Sequence, residues 1–155
     1  MRPVIAHAAY LINIASPTPS LRETSIRALR VELERCEALG IACLVLHPGS
    51  HSGAGVDVGL SNVIDALDRV HADTAGFRSR ILLETSPGSG SSVGHRFADL
   101  GRVLGAVADP GRLGVCVDTC HVFAAGYVIR TAEGLESAID ELSRAVGRAA
   151  IRSWH

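Results

Sequence analysis

Lysine is absent from the 155 residues, so all fifteen basic side chains are arginines, and with sixteen acidic residues the formal net charge is -1. That balance excludes a basic nucleic-acid sleeve. Any contact with phosphate must come from local arginines, backbone amides or bound metal rather than from a global field, and charge alone argues mildly against DNA. No apolar run approaches the roughly 20 residues needed to cross a bilayer. The opening Met1-Arg2-Pro3 leads into only a few apolar residues, so no signal peptide or membrane anchor is expected, and a cytoplasmic location without a membrane partner is the default. The four cysteines, Cys36, Cys43, Cys116 and Cys120, form no C-x-x-C pair and have no secretory context. Reduced, mostly buried thiols are expected, with Cys120, close to Asp118 and His121, the one possible thiolate ligand. No low-complexity tract or linker interrupts the chain. At 47% hydrophobic and 20% charged it reads as at most one globular domain, able to bury a core.

What the sequence does contain is an alternation of short β-branched apolar runs with longer segments of helical period. The expected strands are Val4 to Ala6, Ile41 to Leu46, Arg80 to Leu83, Leu113 to Val117 and Ala149 to Trp154. Between the first two, Thr18-Pro19 supplies an N-cap and an N1 proline, Ile26, Leu29, Leu33 and Cys36 share a face, and Gly40 supplies the stop. Leu60, Val63, Ile64, Leu67 and Val70 mark a second helix. Phe97, Leu100, Val103, Leu104 and Val107 mark a third, and Leu135, Ile139, Leu142 and Val146 a fourth. Strand and helix in repeated alternation imply a parallel sheet covered by helices, either open and doubly wound or closed as an eight-stranded barrel.

A ladder of potential metal ligands decides between them. His7, His47, Glu84, Asp118 and His155 stand at the C-terminal ends of the five strands, at intervals of 40, 37, 34 and 37 residues. In an open sheet five strand ends spread along a line roughly 19 Å long, at about 4.8 Å per strand. A barrel bends that line into an arc aimed at a common centre, where such folds carry their sites. Any one of these residues alone reads more readily as a polar strand terminus. Five in register, all drawn from His, Asp and Glu, read as a metal site. Imidazoles with carboxylates suit zinc or manganese better than magnesium or calcium. Glu84, midway along the arc, is placed to bridge two ions. His121 lies in the loop after the fourth strand, where it can turn toward the same basin. His71 is expected to be solvated at a helix end, and His51 and His95 to line the mouth.

At these strand ends the sequence resembles the endonuclease IV family of apurinic/apyrimidinic endonucleases. The matching stretches are His7-Ala8-Ala9-Tyr10-Leu11-Ile12-Asn13, His47-Pro48-Gly49-Ser50-His51, Leu83-Glu84-Thr85 with Gly88-Ser89-Gly90, and Gly114 through His121 continuing to Phe123-Ala124-Ala125-Gly126-Tyr127. The resemblance implies a TIM (β/α)8 barrel of the xylose-isomerase-like type, with three zinc ions and manganese as an alternative. It implies that His7, His47 and Glu84 hold the first zinc, that Glu84 bridges to a second held also by Asp118 and His155, and that His121 serves the third. Tyr10 and Leu11 fall where the family presses a recognition loop into DNA beside an abasic site; without the motif, the pair would read as residues packed beneath a loop. The implied partner is double-stranded DNA with abasic sites, and the implied reaction hydrolyses the phosphodiester 5′ to the lesion.

Two local departures stand out. Ser86-Pro87-Gly88-Ser89-Gly90 replaces a family loop ending Thr-Ala-Gly-Gln-Gly, keeping the glycines Gly88 and Gly90 beside His51 as loop or supporting groups, and Val128 follows Tyr127 where an acidic residue is common. A barrel of this kind takes about 250 residues, and five strands are legible. Residues 1–155 are therefore expected to be a partial barrel, a fragment lacking the family's first strand and its last ligand-bearing strands. Two other functions fit the ladder: a metal-dependent sugar isomerase or epimerase of the same barrel group, and a non-catalytic barrel fragment acting as a binding partner. The sequence leaves oligomeric state open.

Overall fold

The computed structural model describes residues 4–155; the opening Met1-Arg2-Pro3 lies outside them. Five parallel strands, β1 (Ile5–His7), β2 (Cys43–Leu46), β3 (Arg80–Glu84), β4 (Leu113–Val117) and β5 (Ile151–Trp154), form one sheet in chain order. An order that never reverses has no switch point, which removes the doubly wound alternative and leaves the barrel winding.

Helices α1 (Pro19–Leu39), α2 (Val56–Asp73) and α3 (Phe97–Ala106) follow the first three strands, and the short α4 (Thr119–Ala124) and α5 (Ala132–Val146) follow β4. α1 starts at the expected Pro19, although Thr18 makes no side-chain cap bond. It stops at left-handed Gly40, whose N–H bonds Glu37 while that of Ile41 bonds the Cys36 carbonyl. That closing turn consumes Ile41, so β2 begins two residues later than its apolar run. A 3-10 turn at Arg148–Ala150 likewise delays β5. β1 is displaced by one residue from its expected bounds and includes His7. The segment after β4, expected as loop, is helical because Asp118 caps it, its Oδ1 accepting the His121 N–H at 2.9 Å.

Alternation along the strands separates two faces. Leu44, Leu46, Ile81, Leu83, Val115 and Val117 pack with the buried stripes of the helices in the main core. Val45, Leu82 and Cys116 form a smaller cluster on the other face, the interior of the arc. The register shows how the arc is built. His7 pairs Val45, whereas Leu46 pairs Leu83, so the ligand position climbs two residues from β1 to β2 and none from β2 to β3. Glu84 pairs Cys116 and Val117 pairs Trp154, giving a second climb of two and then none. Two climbs of two over four ladders average one residue per strand, the stagger of an eight-stranded barrel with shear 8. No helix among the described residues is long and apolar enough to cross a membrane.

Candidate metal centre

Curvature brings the strand ends together. The rings of His7 and His155, on the two outermost strands, have centroids 6.1 Å apart, where a flat sheet would separate those ends by roughly 19 Å. Glu84 lies at the centre and is 0% exposed. Its Oε2 is 2.9 Å from His7 Nε2 and 3.2 Å from His47 Nε2. Its Oε1 is 3.2 Å from His121 Nδ1 and 3.7 Å from His155 Nδ1. The carboxylate is thus divided between two groups, and His7, His47, Glu84 and Glu84, Asp118, His121 each bring ligand atoms within 4.8 Å of one another. The family resemblance assigns His121 to a separate ion; here its ring stands with Glu84 and Asp118, and His155 Nδ1 is 3.6 Å from Asp118 Oδ2.

Backbone groups hold several of these residues. His7 Nδ1 lies 2.7 Å from the Ala8 carbonyl, to which it donates, turning Nε2 toward Glu84. Asp118 spends Oδ1 on the cap of α4 and turns Oδ2 to His121 and His155. The last residue of the ladder is fixed by its main chain, with His155 N–H on Val117 and its carbonyl accepting from Thr119 N–H. Thr85, whose only distinction in sequence is its place after Glu84, accepts the Asp118 N–H through Oγ1 at 2.9 Å, and its carbonyl lies 2.9 Å from His121 Nδ1. It sets the separation of the β3 and β4 ends, and its only signal in sequence is a hydroxyl directly after Glu84.

Burial pushes the Glu84 carboxyl up, but hydrogen bonds from His47 and His7 outweigh it and hold the group at about 2. The same bond raises His47 above its ordinary value, against the opposing effect of burial. Glu84 Oε1 is buried yet accepts no aligned hydrogen bond among the described residues. An orphaned buried carboxylate oxygen facing imidazole nitrogens and a second carboxylate fits a divalent cation. Ligand atoms about 2.0–2.2 Å from a tetrahedral ion stand about 3.4 Å from each other, and the Glu84 contacts of 2.9–3.7 Å bracket that spacing.

Beside the cluster lies a cleft of about 310 Å³ whose lining includes Tyr10, Asn13, His47, Ser50, Ser86 and His121. Tyr10 and Leu11 are 82% and 89% exposed, which rules out the alternative of a pair packed beneath a loop. Gly88 lies against the ring of His95, and Gly90 sits at the tip of the same loop with positive φ. His51 Nδ1 accepts the Gly55 N–H, closing the loop before α2. His71 corrects an expectation: it is buried, not solvated, because Arg112 folds across the end of α2 and bonds the carbonyls of His71 and Thr74. Cys36 and Cys116 are buried and Cys43 is half-buried, whereas Cys120 is exposed and belongs to neither ligand group.

Residues 2–155 match the family described as xylose isomerase-like TIM barrel. A protein of Chloroflexus aurantiacus named probable endonuclease 4 is 48% identical over 155 residues, which cover 100% of this chain and 54% of that protein. A Geobacter sulfurreducens protein of the same name is 43% identical over 152 residues, covering 98% and 51%. The crystal structure of endonuclease IV from Thermus thermophilus superposes with a TM-score of 0.80 at 35% identity, over 99% of this chain and 52% of that one. A D-tagatose 3-epimerase-like protein superposes with a TM-score of 0.81 at 22% identity, over 99% and 55%, a likeness of fold alone. The chain spans about half the length of the curated relatives it matches. It belongs to the xylose isomerase-like TIM barrel family, and within that family it stands with the endonuclease IV proteins.

Proposed function

We propose that the protein carrying this chain is a zinc-dependent endonuclease of DNA repair that hydrolyses the phosphodiester 5′ to abasic sites in double-stranded DNA. The observation that carries the reading is the division of Glu84, one oxygen toward His7 and His47 and the other toward His121 and His155. In this reading His7, His47 and Glu84 would hold one ion, and Glu84 would be shared with a second position reached by Asp118, His121 and His155. Zinc, when bound there, would supply a hydroxide near neutral pH and polarise the phosphoryl oxygens. The chain's own residues do the rest. The Ala8 carbonyl fixes the His7 ring through Nδ1 and leaves Nε2 free, and Asp118, its other oxygen engaged in the helix cap, presents a single oxygen. Nitrogen and carboxylate donors without thiolate accept manganese as well as zinc.

The exposed Tyr10-Leu11 tip stands beside the ligands, with the Tyr10 ring 5.3 Å from that of His47. An aromatic and a leucine held out in solvent suit the groove of a damaged duplex, where apolar wedges replace lost stacking. A free sugar, the substrate in the isomerase reading, needs an enclosing polar wall instead. The test is incision of a duplex with a single abasic site by the full-length protein, before and after chelation. Incision is expected only with metal bound. No incision by the metal-loaded protein, or incision that survives demonstrated metal removal, overturns the reading.

A further inference from the structure

Asn13 joins the loop that bears Tyr10 and Leu11 to the loop that bears His47. Its Oδ1 accepts the Ser50 N–H at 2.9 Å, and its Nδ2 donates to the Ser50 carbonyl at 3.1 Å. The Ser50 N–H can only donate and its carbonyl only accept, so the amide orientation follows from the partners. Two bonds to one residue's backbone fix both separation and rotation. The loop also rests on α1, because the Asn13 N–H donates to Ser25 Oγ at 3.0 Å. Among the described residues no other side chain of residues 8–13 hydrogen-bonds to the loop after His47.

Two observations show how tight the joint is. Gly49 has φ +107°, and a Cβ there would collide with Asn13 Oδ1, so the backbone before Ser50 approaches more closely than any other residue permits. Ser50 is itself tied onward: its Oγ is 2.6 Å from Ser91 Oγ, and it pairs with Ser92 in an antiparallel bridge. The tip has apolar feet, Ala8 and Ile12 being buried, while Tyr10 and Leu11 are mostly exposed. Apart from its base, it meets the protein where Tyr10 edges the His7 and His47 rings and where the Ala9 N–H reaches the Glu32 carboxylate, neither of which sets rotation as the paired Asn13 bonds do.

We propose that Asn13 is a positioning residue which holds the Tyr10-Leu11 tip in register with the metal ligands by locking its loop to Ser50, three residues beyond His47. This rests on the nuclease reading for its consequence, although not for its geometry. Losing the two hydrogen bonds corresponds to a change on the order of tenfold or more in an equilibrium constant.

The experiment compares Asn13→Ala and Asn13→Asp with wild type in the full-length protein, three readouts being taken. In hydrogen exchange, the amides of residues 8–13 and of Ser50 should exchange about tenfold faster in Asn13→Ala, the local opening no longer being opposed by the joint. Cobalt(II) titration followed by absorbance should give the same affinity within about twofold, the ligands being untouched. With an abasic duplex, KM should rise about tenfold, and more than kcat falls, and the rise should largely vanish when both proteins also carry Leu11→Ala. Asn13→Asp keeps the size and the acceptor for Ser50 N–H while setting a carboxylate against the Ser50 carbonyl. It should show the same pattern and guards against misfolding of the alanine variant. Unchanged exchange overturns the proposal whatever the protein acts on. So does a KM rise that persists in full in the Leu11→Ala background. Wild type that neither binds nor incises the duplex defeats the nuclease reading instead, and the exchange readout still judges the joint.

Discussion

Replacing Glu84 by glutamine tests whether this buried carboxylate is the charged hub of the metal-free centre. The substitution keeps the volume and removes the charge, turning an amide N–H2 toward imidazoles that now find an acceptor. Glu84 is held at about 2 against a usual 4.5, and at about 1.4 kcal/mol per unit this corresponds to about 3 kcal/mol of folding stability. The sign follows from both partners. A depressed carboxylate contributes stability that is present above 4.5 and lost as pH falls toward 2. His47, raised by the same bond, contributes stability that is present below 6.5 and lost as pH climbs through its folded value. These are two views of one interaction, so they are counted once. Urea unfolding of the metal-free full-length protein should therefore find wild type more stable than Glu84→Gln by about 3 kcal/mol between pH 4.5 and 6.5. The margin should shrink on both sides of that window. Added zinc should raise the wild-type Tm far more than that of the variant. An offset independent of pH, or a variant as stable as wild type at pH 5.5, would refute the assignment of an ionised, imidazole-bonded Glu84.

Two further predictions concern the scaffold. His71 is buried with neither ring nitrogen hydrogen-bonded among the described residues, and burial, followed by the nearby Arg112, pushes its pKa down. Its neutral form is therefore favoured by folding, and stability present above pH 6.5 is lost as pH falls. His71→Leu should gain about 1 kcal/mol at neutral pH by removing an unpaired buried N–H, with a margin that widens toward pH 5 in urea titrations; a margin that narrows would mean that the ring has a partner. A Cβ on Gly101 in α3 would collide with the Ala145 carbonyl of α5. Gly101→Ala should cost about 1–3 kcal/mol in thermal unfolding despite the better helix propensity of alanine, and an unchanged or higher Tm would show that the two helices separate freely.

How much was legible in sequence follows from what each feature depends on. The intervals of the ligand ladder count residues per strand-helix unit, and the winding that repeats them is a property of the chain itself. The same holds for Pro19 and Gly40, which act through their own backbone, and α1 has the bounds they imply. Features that depend on a distant partner were not legible. His71 is adjacent to the end of α2 in sequence, but its burial depends on Arg112, 41 residues on. Thr85 and Asn13 act through backbone groups of Asp118 and Ser50, and no periodicity announces such a bond. The helix after β4 is hidden for a different reason: within a ligand ladder Asp118 reads as a ligand, whereas its two oxygens do two jobs.

That double use explains why Glu84 is the residue proposed for the shared position. A ligand on the middle strand of the arc faces neighbours on both sides, so it must offer two acceptors that diverge. A histidine whose Nδ1 is anchored on a carbonyl, as His7 is on Ala8, has one nitrogen left. Asp118 has one oxygen left, because the other closes α4. Glu84 ends its strand with both oxygens unspent on backbone, four imidazole nitrogens within 3.7 Å and no exposure to water. The stagger of the sheet places β3 level with β2 on one side and two residues below the β4 ligand on the other. The longer stem of glutamate, relative to aspartate, meets that unequal reach. An aspartate at position 84 would keep the charge but fall about one methylene short, so the Oε1 side of the centre is the side it should lose.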